Sequence, residues 1–590
     1  MKQMDFFAPA NEKEKQEIIK DLTKNTAAFG IDLGTTNSAI SVIPSGTHPV
    51  TIPLAKGRTT LPSCVMWTGE GKNFIVGMDA YNQRYEENCI YSVKRLMQDV
   101  TATVTLRKDG KELVMTPAEV SAEILKGLVR EAGDTYGEIK DVVVTVPAYF
   151  DVNGKKATKE AVQLAGLNLL GLIAEPTAAS LCYELDAGDD GVKDIVVYDL
   201  GGGTFDVSLV RIMENKDTAL QKQLAEIYGF DDYKDDAENP AKVVSVICSD
   251  GDTHLGGDDV DGYMLDILVN KLRADGYTDP ISHETLEKLK LQLEKLKKGN
   301  VDSMYFVDCH LDNDVHRKVK ILPTDFKEAL RPVYEKTREI IERVLLEHRN
   351  SVKTIVLVGG STKNPHLVSM LKEDYPSFYV NNAFPPDESV SLGAGIHAKE
   401  LKFGENAVSV FDSLSIGIGI VEGKKLKTVI PKNSRYPVTK CKVFTNVVDN
   451  QQSIAIEIMQ GDSQFVEEAV SLGTLVIDDL PLVPAETLEI IINLMINANG
   501  ILTCNTEIRN PLERGKSIKR DLELNLAKAE TGGRKLTREE KLIRKWEAKA
   551  DQLPEHEAGV LRDMIKKFPE IYSKSDVMDF IRSCMELKKV

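Results

Sequence analysis

Short apolar runs alternate with longer amphipathic stretches from Phe29 to about residue 403. The run DVVVTVPAYF has the pattern of a buried strand, and an Ala-rich stretch follows it. Strands that alternate with helices along the chain are typical of an α/β fold. Residues 29–43 and 197–212 also share one order: a strand, an Asp-x-Gly-rich turn with Thr, and a second strand. This internal similarity predicts two related lobes.

Beyond residue 412 apolar and polar residues alternate one by one, as in SIAIEIMQG at 453–461. A period of two is that of half-buried strands. Asn499-Gly500 lies between two apolar runs and favours a tight hairpin, because both central positions need positive φ. After about residue 525 the chain is charged and helical in pattern. We therefore predict a polar helical extension at 1–27, an α/β domain at 28–403, a linker at 404–412, a β-sandwich at 413–525 and a short helical region at 526–590.

Composition narrows the possible partners. The 590 residues carry a formal net charge of −17, and such an acidic field opposes binding to the phosphates of nucleic acid. No apolar run approaches the roughly 18 residues of a membrane-spanning helix, and the first residues do not resemble a signal or transit peptide. The eight cysteines are scattered, without metal-ligand spacing. We expect reduced thiols, a cytoplasmic location, and neither nucleic acid nor membrane as a partner.

Two glycine-containing turns are candidates for phosphate binding. The first follows Asp32 and offers N–H groups and side-chain donors from Gly34, Thr35, Thr36 and Asn37. Taken alone, it is equally compatible with a structural hairpin. The second lies between Asp199 and Asp206 and contains Gly201, Gly202, Gly203 and Thr204. Three consecutive glycines weaken a strand but let a ligand approach the backbone, so nucleotide phosphates are favoured over structure.

A third turn, Gly359-Gly360-Ser361, follows the strand pattern TIVLV and precedes a helical pattern. This turn presents accessible backbone and suits an adenosine site, although many structural turns share the pattern. Together, the three turns predict that the chain binds a nucleotide.

The motifs occur in an order that resembles the heat-shock protein 70 (DnaK-type) family: IDLGTTNS, VVVTVPAYF with AEPTAAS, DLGGGTFDVS, GDTHLGGDD, VLVGGSTKNP and PPDESVSLGAG. Actin-like ATPases and sugar kinases share only looser versions of the phosphate turns. The resemblance covers about Phe29 to Arg520. It implies a two-lobed actin-like α/β ATPase domain, an antiparallel β-sandwich that binds peptides, and a short α-helical lid. Residues 212–246 are longer and more acidic than is usual for the family, which suggests a surface insertion.

The resemblance implies hydrolysis of ATP to ADP with Mg²⁺ and K⁺. Lys94 would orient the attacking water, Glu175 would lie beside the Mg²⁺ shell, and Thr204 would lie near the γ-phosphate. The implied catalytic residues are Lys94, Glu175, Asp199 and Thr204. Mg²⁺ would be held mostly through water by Asp32, Glu175, Asp199 and Asp206, and K⁺ would lie near Asp199 and Thr204.

The adenine and ribose wall of the family corresponds here to Gly359, Gly360, Ser361, Lys363, Asp387, Glu294, Lys297 and Lys298. At the positions of Lys298 and Lys363 the family commonly has Arg, whose planar guanidinium stacks on or pairs with the nucleotide. We therefore expect a weaker nucleotide affinity than is usual for the family.

The motifs IPKNS, VFTNVVDNQ, MQGD and NANGIL resemble the peptide-binding sandwich of the family. On this resemblance the groove would be lined by Ile418, Val421, Phe444, Val447, Ile454 and Ile456. The alternative for each residue is the sandwich core, because alternating apolar residues are what a core needs. Such a groove binds extended apolar segments through main-chain hydrogen bonds and one or two buried side chains.

Two features depart from the pattern that couples the two domains in the family. Pro147 and Lys155 occupy the positions of the family's proline switch and relay arginine, and lysine lacks a bidentate donor. The linker ENAVSV at 405–410 lacks the leucine-rich run ending in Asp that docks on the ATPase domain.

The leading hypothesis is an ATP-dependent molecular chaperone for unfolded or nascent polypeptides, with a J-domain cochaperone and a nucleotide exchange factor as partners. The alternative is an ATP-binding scaffold with the same fold but without interdomain coupling. A third hypothesis, a small-molecule kinase, rests only on the shared lobes. The peptide groove argues against it.

Overall fold

The structure is a computed structural model. It describes residues 27–43, 49–148, 150–186, 192–214, 242–346, 348–381, 385–403, 408–423, 425–512, 517–522, 560–562 and 564. The predicted extension at 1–27 and helical region at 526–590 therefore lie almost entirely outside the described residues. Residues up to Asn525 belong to one compact unit, and those from Leu526 onward to another. Within the described ranges, no helix is long and apolar enough to cross a membrane.

The first part of the chain builds a sheet in the order β11-β10-β1-β2-β3, with β4 also paired to β2. Two small sheets, β6-β5-β7 and β8-β9, extend it. The strands are β1 (Ala28–Asp32), β2 (Asn37–Ile43), β3 (Val50–Thr51), β4 (Leu61–Pro62), β5 (Cys64–Trp67), β6 (Phe74–Val76), β7 (Cys89–Tyr91), β8 (Val104–Lys108), β9 (Lys111–Met115), β10 (Asp141–Val146) and β11 (Asn168–Ala174). The helices are α1 (Met78–Tyr81), α2 (Pro117–Tyr136), α3 (Val152–Leu164) and α4 (Glu175–Asp186).

The second part builds a sheet in the order β18-β17-β12-β13-β14-β19, beside the hairpin β15-β16. Its strands are β12 (Lys193–Leu200), β13 (Phe205–Glu214), β14 (Lys242–Asp252), β15 (Tyr305–Leu311), β16 (Val315–Ile321), β17 (Val352–Val358), β18 (Tyr379–Asn381) and β19 (Val408–Phe411). Its helices are α5 (Gly257–Ala274), α6 (His283–Lys297), α7 (Pro323–Leu345), α8 (Pro365–Asp374) and α9 (Ser389–Phe403).

The two large sheets pair their strands in the same way. Strand β1 is antiparallel to β2 and parallel to β10, which is parallel to β11. Strand β12 is likewise antiparallel to β13 and parallel to β17, which is parallel to β18. The similar sequence segments thus form equivalent hairpins. Strands β13 and β14 occupy both ends of the predicted 212–246 insertion, so the connection itself is confined to 215–241, outside the described residues.

Helices α4 and α9 lie between the two sheets and share one apolar core with both. That core includes Val143 from the first sheet and Val197 from the second. The two helices touch through backbone, because a Cβ on Gly393 would lie 1.7 Å from the carbonyl oxygen of Ala178. A Cβ on Gly30 of β1 would lie 2.0 Å from the amide nitrogen of Gly395. Only glycine permits approaches this close.

A β-sandwich follows, with sheets β21-β20-β23-β24 and β22-β25-β26-β27. Its strands are β20 (Ile418–Glu422), β21 (Lys425–Ile430), β22 (Val438–Phe444), β23 (Ile454–Gln460), β24 (Val470–Ile477), β25 (Glu489–Ile496), β26 (Leu502–Arg509) and β27 (Ser517–Leu522). Ile420 and Ile458 from one sheet share a buried core with Ile492 and Leu494 from the other. The alternation seen in the sequence is thus that of strands with one face in this core.

The linker docks on the α/β domain although it lacks a leucine-rich run. Strand β19 adds in parallel to β14, with Lys242 opposite Val408 and Ser245 opposite Phe411. Strand addition uses main-chain hydrogen bonds and does not require leucines. The next residue, Asp412, accepts hydrogen bonds from the backbone N–H of Ala174 (3.1 Å) and from the Thr177 hydroxyl.

The sandwich also contacts the first sheet's helix α3 and strand β11 directly. The backbone N–H of Val152 donates to Gln460 at 3.0 Å, and that of Leu172 donates to Asn499 at 2.9 Å. The Val152 side chain is part of the sandwich core. The α/β domain and the sandwich are therefore docked on one another.

We predict that Gly393→Ala destabilises the α/β domain by about 1–3 kcal/mol or more, because the new methyl group overlaps the backbone of α4. Thermal unfolding of the purified chain measures this effect. The matched control is Gly262→Ala on α5, where no atom lies within 4 Å of the added Cβ. It should leave stability unchanged or raise it by up to about 1 kcal/mol. Equal unfolding temperatures for Gly393→Ala and the parent chain would contradict the backbone contact.

Candidate active site

The turns of the two equivalent hairpins touch each other. A Cβ on Gly202 would lie 1.9 Å from Oγ1 of Thr36, and a Cβ on Gly203 would lie 2.7 Å from Nε of Arg95. At Gly202 the opposite turn leaves no room for a side chain, whereas at Gly203 the nearest atoms belong to the side chains of Arg95 and Thr35. The structure thus brings together the two predicted phosphate-binding turns, and it adds Arg95, which the sequence analysis missed although it follows Lys94 directly.

Lys94 lies beside the first turn. Its Nζ donates to the backbone carbonyl of Leu33 at 2.5 Å and to Oε1 of Glu175 at 2.5 Å. Both charged side chains are less than one-tenth exposed. Leu33 follows β1, and Glu175 is the first residue of α4. The predicted catalytic residues Lys94 and Glu175 are therefore a buried ion pair at the end of the first hairpin.

Three further carboxyl groups lie around this ion pair. Asp199 and Asp206 are opposite each other in the second hairpin, and both are buried. Burial, followed by repulsion from Glu175, raises the pKa of Asp32 to about 7 and raises the pKa values of Asp199 and Asp206 well above their usual range. Lys94 offsets only part of this effect. Deprotonated, the group of carboxylates would attract a cation.

The carboxyl groups are not arranged as direct metal ligands. Within the described part of the chain, no three His, Cys, Asp or Glu side chains converge closely enough to hold one metal ion. A cation among Asp32, Glu175, Asp199 and Asp206 would therefore be held through water. Oδ1 of Asp32 also accepts a hydrogen bond from the Thr145 hydroxyl at 3.0 Å.

The third turn contacts the second. The Ser361 hydroxyl donates to the carbonyl oxygen of Gly201 at 2.8 Å. Gly359 has φ +83°, and a Cβ there would lie 2.4 Å from the carbonyl oxygen of Leu200. Nearby, Nζ of Lys363 lies 2.7 Å from Asp387. The predicted adenosine turn is thus adjacent to the predicted phosphate site.

Helix α6 supplies a second wall of the predicted adenosine site. Nζ of Lys297 lies 2.7 Å from Asp261 and donates to the carbonyl oxygen of Gly257 at 2.7 Å. Nζ of Lys298 lies 2.6 Å from Oε1 of Glu294. Glu294 and Lys297 of α6, and Lys298 directly after the helix, therefore all have ion-pair partners at this wall.

Two residues of the first part of the chain close this wall and were missed from the sequence. The Tyr81 hydroxyl lies 2.7 and 2.8 Å from the two carboxylate oxygens of Glu294, and Nη1 of Arg84 lies 3.0 Å from Oε2. The Arg84 guanidinium stacks on the Tyr81 ring at 4.3 Å. Burial alone would raise the pKa of Glu294, but Lys298, Tyr81 and Arg84 together lower it to about 2. Glu294 is thus an anion that joins the two parts across the cleft.

The residues predicted to line a peptide groove fall into two groups. Those that belong to the sandwich core or pack against it are Ile418, Ile456, Phe444 and Ile454. Val421 is half-buried on β20. Val447 is 73% exposed in the loop after β22. Of these six side chains, Val447 is the most accessible to a bound segment.

The two predicted relay residues lie near the interface between the α/β domain and the sandwich. Pro147 is buried directly after β10. Lys155 on α3 is 3% exposed, and its Nζ donates to the Tyr436 hydroxyl at 3.1 Å. Burial lowers the pKa of Lys155 to about 8. The negative charges of Asp412 and Asp151 raise this pKa and so offset part of the effect of burial.

The fold combines two similar sheets, facing glycine-containing turns that surround a group of buried carboxyl groups, and a docked β-sandwich. A sequence model described as "Hsp70 protein" matches residues 28–232 and 241–573. The chain therefore belongs to the Hsp70 family. The match extends beyond the motifs quoted above, and its gap at 233–240 lies within the connection between β13 and β14.

Curated relatives agree with this assignment. The chain is 32% identical to the "Chaperone protein dnaK" of Cyanidioschyzon merolae over 516 residues, which are 82% of this chain and 79% of the relative. It is 33% identical to the "Stromal 70 kDa heat shock-related protein, chloroplastic" of Pisum sativum over 531 residues, 84% of this chain and 69% of that protein. Both relatives are named as chaperones or heat-shock proteins.

We predict that docking of the sandwich strengthens as the pH rises from 8 to about 10.5. Undocked Lys155 has the usual pKa of 10.5, whereas the docked value is about 8. Below pH 8 the lysine is charged in both states, and docking bears the full cost of burying the charge. Above pH 8 the docked lysine loses its proton and the cost falls. Small-angle X-ray scattering at pH 7 and 9.5 should show a more compact chain at the higher pH.

The control for this prediction is Lys155→Met, which keeps an unbranched apolar stem and removes the titrating group. Because the variant has no titrating group at this position, its radius of gyration should be the same at pH 7 and at pH 9.5. The same pH profile in both proteins would assign the effect to other residues.

Proposed function

We propose that this chain is an ATP-dependent molecular chaperone that binds extended apolar segments of unfolded polypeptides, with affinity set by ATP binding and hydrolysis. Its α/β part would be the two-lobed, actin-like ATPase domain of the family, and its sandwich the peptide-binding domain. One observation carries the proposal. The first turn of α4 supplies Glu175 to the candidate active site and, two residues later, Thr177 to the linker residue Asp412.

The residues of the cleft fit a nucleotide with its metal ion. Oγ1 of Thr36 and Oδ1 of Asp206 are buried and have no hydrogen-bond partner among the residues that the structure describes. Unpaired buried oxygens are costly unless a ligand or water satisfies them. Backbone N–H groups of glycine-containing turns such as these can donate to phosphate oxygens. Phosphates and hydrated Mg²⁺ supply the acceptors, donors and positive charge that such a site lacks.

The phosphate-binding residues would be those of the two hairpin turns, namely Gly34, Thr35, Thr36, Asn37, Gly201, Gly202, Gly203 and Thr204. Adenosine would lie between the third turn and α6, against Gly359, Gly360, Ser361, Lys363, Asp387, Glu294, Lys297 and Lys298. The four carboxylates would hold Mg²⁺ through water, and K⁺ would lie near Asp199 and Thr204. When bound, Mg²⁺ neutralises phosphate charge in the transition state of hydrolysis.

Lys94 is suited to orient the attacking water. An ammonium group has three N–H donors, and Leu33 and Glu175 accept from two of them. The third can hold a water molecule in a fixed position beside the turn. Catalysis would then depend on positioning and on neutralisation of charge, without a covalent intermediate.

The docked linker supports coupling between the two sites. A nucleotide that moves Glu175 also moves the helical turn that bears Thr177, and Asp412 follows through its hydrogen bonds to Thr177 and Ala174. Partners of the proposed cycle are unfolded or nascent polypeptides, a J-domain cochaperone and a nucleotide exchange factor. We place the protein in the cytoplasm, and a fluorescent fusion in the source cells tests that location.

We predict that Thr204→Ala and Lys94→Ala lower ATP turnover by about 100-fold or more, the usual effect of removing one preorganised donor. Nucleotide affinity should change much less, because backbone groups hold the phosphates. Single-turnover hydrolysis and calorimetric titration with ADP separate the two effects. Lys72→Ala, which removes an exposed lysine paired with Glu119, is the control and should retain turnover. A parallel loss of affinity and turnover would indicate structural roles instead.

The function itself is tested by the release of a labelled apolar heptapeptide. ATP with Mg²⁺ and K⁺ should accelerate release by about tenfold or more, which corresponds to about 1.4 kcal/mol in the barrier. Val447→Asp should weaken peptide binding, because it places a charge where an apolar side chain would contact the peptide. The matched control Val114→Asp replaces another exposed valine, which lies on β9 and is 58% exposed.

The outcomes separate the two hypotheses. Release that ATP does not change would favour the uncoupled ATP-binding scaffold. Peptide affinity retained by Val447→Asp would place the peptide site elsewhere in the chain.

A further inference from the structure

Two cysteines of the first small sheet lie side by side. Cys64 begins β5 and Cys89 begins β7, and their sulfur atoms are 3.3 Å apart. Cys89 is paired across the strands with Met66, which is two residues from Cys64. Paired residues, and residues two apart on a strand, share one face of a sheet, so both thiols point to the same side. They are therefore in contact without any change of the backbone.

The donor and acceptor of each hydrogen bond made by the two thiols can be assigned. Sγ of Cys89 donates to the carbonyl oxygen of Ala80 at 3.4 Å, which leaves Cys64 as the donor to the sulfur of Cys89. Cys64 is fully buried, whereas Cys89 is half-buried. The hydrogen bond to Cys89 and burial raise the pKa of the Cys64 thiol. Cys89 is thus the thiol that a small oxidant reaches first.

We propose that Cys64 and Cys89 are a redox-modification site, at which a peroxide forms a reversible disulfide that loosens the contact between Tyr81 and Glu294. In the first step the Cys89 sulfur attacks one peroxide oxygen, the O–O bond breaks, and Cys89 sulfenic acid and one water are formed. In the second step the Cys64 sulfur attacks the Cys89 sulfur and displaces its hydroxyl group, which leaves as water with the Cys64 proton. Two thiols are oxidised, and one peroxide is reduced to two waters.

Helix α1 connects this pair to the cleft. The backbone N–H of Gly77, just before α1, donates to the carbonyl oxygen of Cys64 at 3.0 Å. Ala80 of α1 accepts from Cys89, and the next residue, Tyr81, donates to Glu294. The disulfide removes the thiol proton that bonds Ala80. It also draws the sulfurs from 3.3 Å to about 2.05 Å. Both changes act on the short helix that carries Tyr81.

The disulfide is tested on the full chain with hydrogen peroxide, followed by non-reducing peptide mapping by mass spectrometry. We expect one cross-linked peptide pair that contains residues 64 and 89 and has lost two hydrogen atoms, and dithiothreitol should restore both thiols. Cys64→Val and Cys89→Ser should abolish it, whereas Cys441→Ser, at an exposed position of the sandwich, should retain it. Over-oxidation of Cys89 without a cross-link, or a cross-link that involves another cysteine, overturns the proposal.

The effect on the cleft rests on the proposed nucleotide site and is measured by release of a fluorescent ADP analogue. Oxidised protein should release it about five-fold faster than reduced protein, the effect of weakening one hydrogen bond. Cys64→Val should release it at one rate before and after peroxide. A complete disulfide with unchanged release overturns the link to Tyr81. A chain that binds no ADP in either state, but forms the disulfide, contradicts the proposed function and leaves the modification site standing.

Discussion

The direct backbone contact between α4 and α9 is the constraint on which the rest of the α/β domain depends. Gly393 lies against Ala178, and both sheets pack their apolar residues on this pair of helices. Helices separated by ordinary side chains pack about 8–10 Å apart. A wider separation would move the two hairpin turns apart, and Gly202 would no longer touch Thr36. The geometry of the cleft is thus set in the core, by residues that contact no nucleotide.

The same helix pair also explains why several carboxyl groups are crowded together in the candidate site. The first turn of α4 brings Glu175 into a space that already holds Asp32, Asp199 and Asp206, with Lys94 as the buried cation that contacts it. Burial and mutual repulsion favour the protonated acids. A hydrated cation can replace those protons, because it supplies positive charge and hydrogen bonds at once. Binding of a hydrated cation in the cleft would therefore be coupled to the loss of protons.

The hairpins were predictable from sequence because Asp, Gly and Thr at short, fixed spacing report on local backbone shape. Features that depend on contacts across the chain were not. Tyr81 and Arg84 are more than 200 residues from Glu294, and no local pattern indicates that they meet. The side chains of the linker did not indicate whether it docks, because β19 docks through its main chain. Alternation could not separate groove from core, since Ile418 and Ile456 satisfy both patterns and lie in the core.

Lys155 shows that a substitution within a family can alter the energetics of an interface without removing it. An arginine at this buried position would stay charged at every relevant pH, because its pKa is above 12. A lysine can release its proton, and burial lowers its pKa to about 8. Above pH 8 the docked state therefore avoids part of the cost of burying a cation beside Tyr436, whereas the bidentate geometry of a guanidinium is missing at every pH. The lysine thus gives up directional bonding, and its desolvation cost falls only above pH 8. Asp412, held by the N terminus of α4, remains the directional contact between the linker and the active site.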